Sequence, residues 1–159
     1  MKLELRGEME IGAPREKVFN LLVDPRSRLI ERSVPDVESY TVTSEDSFEA
    51  KVKVGISFVR GTITLRGRVA ERRPPVFARL LADGSGLGSS VKVDTSFTLE
   101  EREGRTLMRW EAVSELSGLV TGLGERMVRS QADKMVGDIF SRLKESLERE
   151  ASGRPQAVV

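Results

Sequence analysis

Between Val37 and Ala112 the chain alternates apolar with polar residues, stretch after stretch. From Leu119 to Leu147 its apolar residues then fall mostly four apart. Period two is the mark of a half-buried strand, and a period near four of an amphipathic helix. Such a chain has few ways to bury both kinds of face, and the simplest is to lay the helix across one curved sheet.

The strand signals are specific. Val37–Thr43 is rich in Val, Thr and Tyr. Phe48, Ala50, Val52 and Val54 alternate with Glu49, Lys51 and Lys53, and Ile63, Leu65 and Val69 with Thr64, Arg66 and Arg68. Val76, Ala78, Leu80 and Ala82 form another candidate inner face. So do Val91, Val93, Thr95, Phe97 and Leu99, and then Met108, Trp110 and Ala112. Turn residues separate them at 44–47, 74–75, 83–90 and Glu103-Gly104. Neighbours joined this way make antiparallel hairpins with one wet and one buried face.

Before them, Lys2–Ile11 reads as a strand with an irregularity at Gly7. Pro14 opens a short helix with Val18, Phe19, Leu21 and Leu22 on its apolar face, and Asp24-Pro25 breaks it. A second short helix is predicted over 25–31, ended by Val34-Pro35-Asp36. In the long helix, Leu119, Leu123, Met127, Met135, Ile139, Leu143 and Leu147 make the stripe. Val120, Val128, Val136 and Phe140 widen it. The expected fold is α+β: one curved antiparallel sheet of about seven strands around a helix from about Gly118 to Glu148, with two short helices after the first strand. Residues 1–150 form one domain and 151–159 a flexible tail.

Composition narrows the chemistry. The 159 residues hold no Cys and no His. Disulfides and thiolate chemistry are excluded, and the commonest metal ligand and general base are missing. No metal site and no cofactor are therefore expected. The net charge of +1 supplies no field to gather nucleic acid. Arg66, Arg68, Arg72 and Arg73 fall on a wet strand face and its exit without exposed aromatics, so nucleic acid is discounted. No segment reaches the ~20 apolar residues of a membrane span, and a cytoplasmic place is expected. Abundant Arg and Glu without thiols suits a heat-stable protein.

Some motifs have two readings. The Gly84-x-Gly-x-Gly88 run lacks the later Gly and following helix of a dinucleotide loop, and reads as a hairpin. Gly118, Gly122 and Gly124 read as close packing in preference to a pliable gate. Gln131 interrupts the row from Met127 to Met135 on the presumed buried side, so it is the candidate polar anchor in a pocket. Trp110 is either core or a stacking surface.

The order of elements resembles the helix-grip fold of the START-related (SRPBCC) superfamily. Within it, the chain is similar to the CoxG family of carbon monoxide dehydrogenase subunits. The likeness is carried by Val34-Pro35-Asp36-Val37-Glu38, by Lys51-Val52-Lys53-Val54-Gly55 and by Gly84-Ser85-Gly86-Leu87-Gly88. It continues in Leu116-Ser117-Gly118-Leu119, Leu123-Gly124-Glu125-Arg126 and Ile139-Phe140. Two departures stand out: Asp36 where the family commonly has Gly, and no apolar C-terminal extension, which argues against direct membrane anchoring. The resemblance implies a small-molecule cavity and an accessory role around a molybdenum-containing dehydrogenase. A quinone-like or other lipid-like ligand would suit such a cavity.

The expected cavity lies between sheet and helix. Its walls are Val52, Val54, Ile63, Leu65, Val93, Phe97, Met108 and Trp110, with Met127, Gln131 and Met135 from the helix. The expected role is non-catalytic binding of an apolar molecule, with dehydrogenase subunits as candidate partners and a homo-oligomer compatible with it. The alternatives are a docking protein that works through its surface, and a cyclase- or hydrolase-type enzyme.

Overall fold

The structure, a computed structural model, describes residues 1–152. Strand β1 (Lys2–Ile11) leads into α1 (Arg15–Leu22), a 3-10 turn at Pro25–Ser27 and α2 (Leu29–Ser33). Then come β2 (Val37–Ser44), β3 (Ser47–Ile56), β4 (Val59–Arg73), β5 (Phe77–Gly86), β6 (Ser89–Arg102) and β7 (Arg105–Gly118). A 3-10 segment, Leu119–Leu123, connects to α3 (Glu125–Ala151). The seven strands form one antiparallel sheet in the order β1-β7-β6-β5-β4-β3-β2. Of the predicted tail, Ala151 ends α3 and Ser152 follows it; the remainder lies outside the described residues.

Three sequence expectations need correction. β1 pairs with β7 in continuous register through Gly7, so there is no irregularity there. Gly7 makes room instead: a Cβ on it would lie 2.8 Å from the indole of Trp110. The second short helix divides into the 3-10 turn and α2, because Arg28 between them has a left-handed φ of 59°. The long helix starts at Glu125, not Gly118. Gly118 and Gly124 have φ of 91° and 87°, which no α-helix tolerates. Of the three glycines expected to pack closely, Gly118 fits, since a Cβ there would meet the Gly88 carbonyl. Gly122 and Gly124 have nothing within 4 Å.

The hairpin reading of the glycine run holds. Gly86 pairs with Ser89 across a two-residue turn, and Leu87 and Gly88 have φ of 56° and 69°. Two positive φ values in such a turn match the right-handed twist of the strands.

The outer face of the sheet explains the density of charge. Across it the register aligns Glu49, Arg66, Asp83, Lys92, Glu115 and Lys2, alternating in sign at every strand. Opposite charges on facing strands attract where like charges would repel. Arg79 adds a two-pronged pair to Asp94 at 2.9 and 2.6 Å. Arg66, Arg72 and Arg73, from the arginine cluster, pair with Glu49, Asp46 and Glu71.

The C-terminal end of α3 is pinned at several points. Glu148 accepts from the Gly12 amide at 2.6 Å, Arg32 of α2 reaches Glu150 at 2.7 Å, and Lys17 donates to the Ala151 carbonyl. Beneath these contacts lie Ile11, Val18, Met108 and Leu147, all 0% exposed.

Candidate functional site

The concave face follows directly from the register. On β6 it carries Val91, Val93, Thr95, Phe97 and Leu99; on β7 Met108, Trp110, Ala112, Ser114 and Leu116; on β5 Ala78, Leu80, Ala82 and Gly84. β3 and β4 contribute Ala50, Val52 and Val54, and Ile63, Leu65, Gly67 and Val69. These side chains do not merge into one core. They divide into three buried clusters. The first includes Ile11, Phe19, Leu99, Met108, Trp110 and Leu147 under the C-terminal half of α3. The second centres on Tyr40, Phe48, Ala50 and Val52. The third joins Leu3, Val120 and Val128 where α3 begins. Between them, Ala82, Val91, Val93, Thr95 and Ser114 face inward, belong to no cluster and stay partly exposed. A concave apolar face that its own helix does not seal can accept an apolar ligand.

The predicted wall residues fall into three groups. Phe97, Met108 and Trp110 are buried in the first cluster, with Met108 at 0% wholly inside it. Val52 is buried in the second, with Val54, Ile63 and Leu65 half-buried beside it. Val93 lies in the gap. Met127, Gln131 and Met135 are exposed, so the burial argument for Gln131 does not hold. Residues four apart advance about 40° around a helix of 3.6 residues per turn. The row therefore winds from solvent into the core: Met127 is 43% exposed, Met135 39%, Leu143 6% and Leu147 0%. The sheet-facing stripe at the start of α3 is Val128, Ala132 and Val136, one position along.

Sequence reasoning misses Thr95 and Ser114 as site residues. Thr95 stands in the alternating row, but its type marks it only as a strand former. Ser114 lies two residues beyond Ala112, the last apolar member of its row, although the same parity continues to it.

Two grooves lie elsewhere. One, of about 500 Å³, is on the outer face among Glu49, Arg66, Arg68, Asp83 and Lys92. Its alternating charges leave it without a dominant sign. The other is a polar notch beside Gly12, Arg105 and Glu148.

At the end of the sheet where α3 starts, the surface is unusually apolar. Phe58 at the β3–β4 turn is 69% exposed, Leu119 59% and Met127 43%. Leu87 packs over Gly61 and Leu119 over Gly88, so a turn, a hairpin tip and the β7–α3 linker interlock there. No helix of the described residues is long and apolar enough to cross a membrane.

Comparison with known proteins bears on this geometry. The family model of CoxG, a carbon monoxide dehydrogenase subunit, matches residues 7–148. No curated protein matches the chain. Among solved structures, a conserved protein of Geobacillus kaustophilus is 25% identical, with a TM-score of 0.81 over 93% of this chain and 97% of that one. A START superfamily protein of Mycobacterium smegmatis is 13% identical, TM-score 0.63, over 94% and 97%. The Zhui aromatase/cyclase of Streptomyces is 12% identical, TM-score 0.67, over 98% and 100%. The last two likenesses speak for the fold alone, which is the START-related helix-grip fold.

Proposed function

The chain belongs to the CoxG family of carbon monoxide dehydrogenase subunits, and on that premise we propose that it binds an apolar, lipid-like small molecule between sheet and helix without transforming it. Its role is accessory to a molybdenum-containing dehydrogenase, to which it carries or presents the ligand. A quinone-like molecule suits the space in polarity. One observation carries this reading: the inward side chains at Ala82, Val91, Val93, Thr95 and Ser114 are left half-open between three separate buried clusters. A domain whose only task was to fold would gain by closing over them, at roughly 25 cal/mol per Å² of apolar surface removed from water.

An enzymatic reading finds less support. Some proteins of this fold are aromatase/cyclases by name, but here the concave face presents no acid, base or nucleophile beyond two hydroxyls. A docking role is the second reading, favoured by the exposed Phe58, Leu119 and Met127 at one end.

Titration with an apolar dye, read through the single Trp110, tests the first reading. Saturable quenching is expected, together with a small molecule retained in native mass spectrometry. Neither signal, with dehydrogenase subunits still captured by the protein, would leave docking as the function.

A further inference from the structure

The gap between the buried clusters is apolar except at Thr95 and Ser114. On β7, Ser114 pairs with Val93 of β6, and Thr95 of β6 pairs with Ala112 of β7. The two hydroxyls are therefore diagonal neighbours on adjacent strands, roughly 7–8 Å apart at Cα with side chains able to converge. Around them the register places Leu5, Ala82, Val93 and Ala112.

Other concave-face hydroxyls have structural partners. Thr106, 0% exposed, donates to the Ala13 carbonyl at 2.7 Å, and Tyr40 donates to the Pro25 carbonyl at 2.6 Å. Thr95 and Ser114 make no such bond among the described residues and remain partly open. A hydroxyl on an apolar wall contributes nothing to folding unless something accepts or donates to it. Charge is also excluded from this wall: Lys92, Asp94, Glu111 and Glu115 alternate onto the outer face.

We propose that Thr95 and Ser114 are the polar anchor of the cavity, and that its ligand is neutral, largely apolar, and carries at least one carbonyl or hydroxyl oxygen. Both hydroxyls reach the oxygen-bearing end of the ligand, and the apolar remainder lies along Val54, Ile63 and Leu65. A carboxylate or phosphate head group would meet no cation there. The anchor rests on the carrier reading given above.

Two probes of nearly the same shape test it: 2-acetylnaphthalene, which has a carbonyl, and 2-ethylnaphthalene, which does not. Binding is measured by displacement of Nile red from the wild-type chain and from Thr95→Val, Ser114→Ala and the double variant. Removing partnerless hydroxyls leaves the fold at least as stable, which thermal unfolding by circular dichroism verifies. The wild type is expected to prefer the ketone by about three- to thirtyfold, the size of one or two neutral hydrogen bonds. The double variant should lose that preference while binding the hydrocarbon as before. A preference that survives in the double variant, or equal binding of both probes by the wild type, overturns the anchor but not the carrier reading. Failure of the wild type to bind Nile red or either probe overturns both.

Discussion

The indole of Trp110 lies nearly parallel to the ring of Phe140, with centroids 4.2 Å apart and planes 9° from each other. Phe97 meets the same phenylalanine in a tilted contact at 6.4 Å. On its other side the indole covers Gly7. One side chain of β7 is thus held between α3 and the backbone of β1, and it fastens the helix to the sheet at the edge of the open gap.

Replacing Phe140 by Ala should cost about 2–4 kcal/mol, because a buried aromatic contact is lost and a cavity is left. Denaturant unfolding measures the loss, and the emission of Trp110 should move to longer wavelength. A cost below about 1 kcal/mol would mean that other contacts fasten the helix.

Gly7 and Gly122 should respond in opposite ways to the same change. A methyl group at Gly7 would enter the indole, so Gly7→Ala should cost about 1–3 kcal/mol. Gly122 faces open space, so Gly122→Ala should be neutral or stabilise by up to about 1 kcal/mol. Melting curves of the two variants decide it.

Tyr40, the only tyrosine, is 8% exposed, and burial pushes its phenol up to about 12. The nearby Arg28 opposes that shift and is outweighed. The folded state therefore keeps a proton that the unfolded chain gives up near its ordinary value of about 10. The stabilisation is complete below about pH 10 and is lost as pH rises toward 12. Absorbance at 295 nm should show little tyrosinate at pH 10.5 in the folded protein. Tyr40→Phe should flatten the alkaline fall in stability, at a cost of about 0.5–1.5 kcal/mol for the lost bond to Pro25.

The outer face bears on heat resistance. Rows of alternating charge, such as the one from Glu49 to Lys2, form networks whose desolvation cost falls as temperature rises. Calorimetry should place unfolding above the ~45–65 °C typical of mesophile domains. A transition inside that range would remove the thermal argument for this surface.

The strands are legible in the sequence because alternation is read residue by residue, and one buried face fixes each register. Parity alone places Val93 and Trp110 on the concave face. The helix is harder. Its four-spaced row looks like one face in the sequence, yet the row winds around the helix, so Met127 and Leu147 lie on different sides. The start of α3 is hidden because Leu119 and Leu123 continue that spacing through a 3-10 segment whose limits are set by Gly118 and Gly124. The division of the core into three clusters has no sequence signature. It depends on how far α3 stands from β5 and β6, and that distance is set by the bulk of Trp110 and Phe140.

Added bulk tests whether the gap is open. Val93 and Val18 are the same residue in opposite settings: Val93 is partly open and outside every cluster, while Val18 is 0% exposed inside the first. Val18→Phe should cost about 1–3 kcal/mol or more, because a packed core must shift to admit a ring. Val93→Phe should stay within about 0.5 kcal/mol of the wild type, because its ring enters space and covers apolar surface now in contact with water. The same ring should weaken binding of Nile red by at least tenfold. Denaturant unfolding and dye titration on the two variants give the comparison. Equal destabilisation by both would mean that the concavity is already filled, and the carrier function would then give way to docking.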